Sequence, residues 1–157
     1  MGHQDRGRRM IRDEIEQIVK ARKIDREKFH EVSKLRYESI INKFYYSFCD
    51  YEKFPVQDLN YLYLRFHKRL HWQNMIYCSN WESYINQIDI MIPAKESKNV
   101  FYFLLNYGWV YEGHLTEIKC ILNEINGLME DFYIISKDFE WTVAHSDDGD
   151  CMWLITY

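Results

Sequence analysis

No two cysteines stand at metal-binding spacing, no apolar run reaches membrane length, and no glycine-rich phosphate loop occurs. Cys49, Cys78, Cys120 and Cys151 are dispersed, the nearest two being 29 positions apart, which removes the C-x-x-C type of zinc site. The nearest thing to a leader is Arg6, Arg8, Arg9 and Arg12, with no apolar stretch behind them, so no signal peptide is expected. A cytoplasmic chain with reduced thiols follows from these two readings. The G-x-S-x-G elbow and the Cys-His signatures of known enzymes are also missing, which argues against a familiar catalytic class. There is no repeat, low-complexity tract or proline-rich linker, and two prolines and six glycines in 157 residues fit one domain over 1–157, with 1–9 frayed.

Aromatic residues are plentiful: 13 Tyr, 9 Phe and 5 Trp make up 17% of the chain. They supply either a thick core or an aromatic contact surface, and the core has the stronger claim. The net charge of −4 is unevenly spread. Through Met75 sixteen Lys and Arg face eleven Asp and Glu, whereas from Ile76 four face thirteen, or +5 against −9. Such a split often marks an interaction surface.

Apolar residues recur at helical spacing in the first half. Ile11, Ile15, Ile18 and Val19 predict a helix over Met10–Lys23. Asp25 then caps a second, with Phe29, Val32, Tyr37, Ile40, Ile41, Phe44 and Phe48 inside, breaking near Ser33 and ending by Asp50. Leu59, Leu62, Tyr63, Phe66 and Leu70 mark a third, from Val56 to Leu70. His67 and His71 share a face of it, but Lys68 stands where a zincin glutamate would be, so no metal is expected there.

From Ile85 the period changes to two. Ile85, Ile88, Ile90 and Ile92 predict a strand stopped by Pro93, paired in a hairpin with a buried strand over Val100–Asn106. Gly108 to His114 reads as a connection into a fourth helix packed through Leu115, Ile118, Ile121, Leu122 and Ile125. Glu130 to Tyr157 reads as a three-stranded meander, turning at Ser136-Lys137-Asp138 and at Asp147-Asp148-Gly149-Asp150. The fold class is therefore α+β, with N-terminal helices packed on a C-terminal antiparallel sheet of about five strands and one inserted helix.

Chemistry is sparse. The acids of the last turn cannot complete a calcium loop, since the chain stops before the required twelfth ligand. Glu112 with His114 or His145, and Cys151 beside them, would be the minimum for a hydrolase, but no spacing forces them together. The basic charge of the first helices is interleaved with acids, which suits surface ion pairs and not a phosphate stripe, so nucleic acid is not an expected partner.

The segments Trp109-Val110-Tyr111-Glu112-Gly113, Asp131-Phe132-Tyr133-Ile134-Ile135-Ser136-Lys137 and Phe139-Glu140-Trp141 carry a resemblance over Asn99–Trp153. This region resembles small uncharacterised bacterial α+β domains of the kind found among immunity proteins of polymorphic toxin systems. The resemblance implies a non-catalytic protein that binds and blocks a partner, without cofactor or metal. An acidic, aromatic-rich surface drawing on Glu112, Asp138, Glu140, Asp147, Asp148 and Asp150 would complement a basic toxin. The other classes open to such a chain are a hydrolase with an unfamiliar site and a structural protein that pairs with itself along a strand edge, as a homodimer.

Overall fold

The structure, a computed structural model, describes residues 3–49, 52, 75–77, 81–92, 99–105, 109–125, 131–146 and 151–156, and among these the side chains of 11–49, 52, 85–92, 99–105, 109–125 and 131–145. The helices are α1 (His3–Ala21), α2 (Tyr37–Phe48), α3 (Trp81–Met91) and α4 (Leu115–Ile125). The strands are β1 (Phe29–Glu31), β2 (Met75–Tyr77), β3 (Val100–Leu105), β4 (Val110–His114), β5 (Phe132–Ser136), β6 (Trp141–Ser146) and β7 (Cys151–Thr156). They form one sheet in the order β1-β4-β3-β5-β6-β7-β2, antiparallel throughout. The α+β class and the antiparallel sheet stand as expected. Five strands form its body, and the three-residue β1 and β2 extend its two edges.

Register explains what each face carries. Tyr111 pairs with Phe103, Phe103 with Ile134 and Ile134 with Val143, so these four point the same way. Glu112, Tyr102, Ile135 and Thr142 form the next row, on the opposite face. The first face is covered by α1 and α4, which pack on each other, and the Tyr111 hydroxyl donates to Glu16 of α1. Buried Ile11, Ile15 and Val19 from α1 and Ile118, Ile121, Leu122 and Ile125 from α4 close this half of the core. On the second face α2 lays Phe44 against Tyr133, ring centroids 5.0 Å apart. Five strands buried between two helical layers need residues that are apolar in both directions, and β5, buried at every position, reads that way.

Several expectations are corrected. The first helix begins at His3, ahead of Met10, so 3–9 continue it. The second does not start after Asp25: its carboxylate accepts from the Glu27 amide in a turn, and Phe29–Glu31 form β1. Phe29 and Val32 are buried, which matches the apolar spacing, but one through the sheet edge and the other beside it. A 3-10 turn at Lys34–Arg36 then leads into α2, so the break at Ser33 is real.

The predicted strand at 85–92 is helix α3. Ile85, Ile88, Met91 and Ile92 are buried while Ile90 is 72% exposed, a helical spacing that also contains a period-two series through Ile88, Ile90 and Ile92. Its hairpin with Val100–Asn106 therefore does not exist; β3 pairs instead with β4 and β5. The Gly108–His114 connection is in fact β4, and the linker over His71–Ser83 contains β2 and the start of α3. The third helix predicted over Val56–Leu70, with His67 and His71, lies outside the described residues.

Candidate functional site

Among the described residues, the connection from β5 to β6 is held by several hydrogen bonds at once. Ser136 Oγ accepts from the amides of Glu140 (3.0 Å) and Trp141 (3.1 Å) and donates to the Trp141 carbonyl (3.2 Å). Asp138 Oδ1 accepts from the Glu140 amide as well, and the Phe139 amide donates to the Ser136 carbonyl. Phe139 is thereby held at φ 59°, a left-handed conformation that costs a bulky residue about 1–3 kcal/mol. Ring burial offsets that strain: Phe139 is 4% exposed, packs 5.6 Å from the Tyr102 ring, and has Lys43 Nζ 5.0 Å above it. With Phe139 turned inward, Lys137, Asp138 and Glu140 face solvent.

Tyr102 ties this turn to its neighbours. Its hydroxyl accepts from Arg36 of the 3-10 turn at 2.9 Å, and Lys137 Nζ sits 4.2 Å over its ring. Lys137 also pairs with Glu112 Oε2, while His30 Nε2 lies 2.9 Å from Glu112 Oε1. The Glu112 side chain is only 15% exposed. Burial works to raise its pKa, but the hydrogen bonds and charges of Lys137 and His30 outweigh burial and hold it below the ordinary carboxylate value. Both oxygens are thus committed within the fold. Glu112 is a structural anion joining β1, β4 and the β5–β6 turn.

That ion pair sets a pH dependence. A carboxylate whose pKa is depressed by folding adds stability above its unfolded pKa and loses it as pH falls through the folded one. Glu112→Gln should cost about 1–2 kcal/mol at neutral pH, the range for charge-assisted bonds. The gap between wild type and variant should then narrow below about pH 4.5. Urea unfolding of both proteins between neutral and acid pH checks this; a constant gap would mean that the charge is immaterial.

The expected site residues separate into groups. Asp138 and Glu140 are exposed on the same turn, and neither forms an ion pair among the described residues. Asp147, Asp148 and Asp150 lie outside the described residues, but Ser146 and Cys151, which bracket them, sit at the far end of β6, about 17 Å from Trp141 at 3.4 Å per residue.

Glu112 and His145 do not meet. His145 lies three strands and three register positions away, about 18 Å, and on the opposite face, where it stacks on Phe132 at 4.7 Å. Cys151 lies further still along that register. His114 does share the Glu112 face of β4, but Glu112 has its oxygens occupied by other residues. Among the described residues no group of three or more His, Cys, Asp or Glu is placed to hold a metal. Of the large apolar side chains described, only Leu35 (95%), Ile90 (72%) and Tyr46 (53%) are exposed.

Sequence reasoning missed His30, Arg36, Tyr102 and Lys137. His30 and Glu112 are 82 positions apart, and no local pattern links them. Once Phe29–Glu31 is taken as a strand, the alternation of buried Phe29 with His30 is the available signal.

The chain belongs to a family described as a family of unknown function (DUF6756), which it matches over residues 8–156. No curated protein and no solved structure matches it.

Proposed function

We propose that this member of a family without an assigned activity is a non-catalytic protein-binding domain, of the immunity type, that docks a basic partner through the β5–β6 turn. The observation that carries this reading is the turn itself. Asp138 and Glu140 are exposed on a backbone fixed by five hydrogen bonds and anchored by Phe139, so little ordering entropy remains to be lost on binding. Leu35 of the 3-10 turn is 95% exposed, and burying it in a complex would contribute about 1.5–3 kcal/mol. Acids raise the encounter rate, and an apolar anchor holds the complex.

Such a protein would act in the cytoplasm, with Cys49 and Cys120 as free thiols. No helix among the described residues is long and apolar enough to cross a membrane.

The test is association kinetics against the product of the adjacent gene, at low and at physiological salt. Asp138→Asn with Glu140→Gln should slow association about tenfold at low salt, and the difference should shrink as salt screens it. Thermal stability should change by less than about 0.5 kcal/mol, as for other surface substitutions. Replacing Asp147, Asp148 and Asp150 by Asn examines the other end of β6. Equal low-salt rates for wild type and the Asp138 and Glu140 variant would dismiss the turn as the docking surface.

A further inference from the structure

His30 meets an oxygen on each side of its ring. Nδ1 lies 3.0 Å from the Arg26 carbonyl oxygen, and Nε2 lies 2.9 Å from Glu112 Oε1. A backbone carbonyl has no proton to give, and an ionised carboxylate has none either. Both contacts are hydrogen bonds only when both ring nitrogens carry protons. Rotating the ring by half a turn does not help, because it sets carbon atoms against both oxygens. A neutral imidazole turns one lone pair toward an oxygen and gives up that bond.

We propose that protonation of His30 latches β1 to the sheet, so that this edge strand is held more firmly in weakly acidic than in alkaline solution. The strand is also held through Glu31, which accepts from Arg12 of α1 at 3.0 Å and from the Tyr37 hydroxyl at 2.8 Å. It pairs with β4 over three residues, extended by His114 N–H to the Lys28 carbonyl and Val32 N–H to the Val110 carbonyl. Phe29 supplies the apolar part, stacked 5.0 Å from the Tyr111 ring. His30 fastens the polar face at two points, one on β4 and one on the turn that leads into β1.

The charges around the latch favour this reading. Glu112 faces the ring from β4, with Lys137 of the β5–β6 turn on its other oxygen. His114 follows two residues along the same face of β4, and Lys28 precedes His30 by two on its own side of the edge. The Arg26 guanidinium is turned away to Glu16, 2.8 Å distant, leaving only the Arg26 carbonyl to the ring. Lys137 and His30 hold the Glu112 carboxyl below its ordinary value against the effect of burial, so it faces the ring as an anion. When the His30 proton leaves for solvent, the latch weakens and the backbone edge of β4 opens more readily.

Amide hydrogen exchange reads this directly. Val32 donates to Val110 across the β1–β4 edge, and its protection is compared at about pH 6 and about pH 8, after correction for intrinsic exchange. In the wild-type protein Val32 protection should fall about tenfold with rising pH while β5 amides keep theirs. In His30→Gln, Val32 should be weakly protected at both pH values. Equal corrected protection at both pH values in the wild type overturns the latch, and so does an equal fall in the variant. Should the variant not fold, the wild-type comparison suffices: loss at β5 in step with Val32 would mean a global change and would likewise overturn the proposal.

Discussion

Phe44→Ala should lower the stability of the protein by about 3–5 kcal/mol, the range for a buried phenylalanine replaced by alanine. Phe44 is fully buried, with its ring 5.4 Å from Phe48 and 5.0 Å from Tyr133. It joins α2 to Tyr133 of β5, in the body of the sheet. Removing it leaves a cavity that rigid strands on one side and a helix on the other cannot collapse to fill. For a chain of this size each kcal/mol moves the melting temperature by about 2–4 °C, so a fall of about 10–15 °C is expected. Tyr46→Ala is the control, on the same helix but 53% exposed, and should change stability by less than about 0.5 kcal/mol. Comparable losses from both variants would mean that α2 is not docked through Phe44.

Gly113→Ala should cost about 2–3 kcal/mol although it adds one methyl group. A Cβ at this position would stand 2.7 Å from the Lys28 carbonyl oxygen and 2.8 Å from the Phe29 ring, with the Phe29 Cα at 3.1 Å. Two of these three atoms are backbone, which cannot swing aside as the tip of a side chain can. Phe29 lies over Gly113 because the two are register partners, and it needs that space to stack on Tyr111. The expected result is a melting temperature lower by about 6–9 °C, with exchange at Val32 increased more than exchange in β5. A variant as stable as wild type would show that β1 can shift without loss.

The sequence by itself determined those elements whose neighbours along the chain are also their neighbours in space. The meander of β5, β6 and β7 was legible because hairpins join consecutive residues and period two is local. Helix α4 was legible for the same reason, Leu115, Ile118, Leu122 and Ile125 recurring at helical spacing ahead of Asn126-Gly127. The aromatic core was legible in kind, because buried area follows composition. What only the tertiary structure decided involves long separations or a change of role. Ile88, Ile90 and Ile92 satisfy a strand pattern, and packing against α4 is what makes 81–91 a helix with Ile90 outside. Val110–His114 is short, and its strand character comes from lying between β1 and β3, partners drawn from far and near along the chain. Glu112 had the look of a partner-facing acid, yet His30 and Lys137 arrive from 82 and 25 positions away to occupy it. Local spacing can state the period of an element, but a charge acquires its role from whatever the fold sets opposite it, and that depends on contacts no stretch of sequence contains.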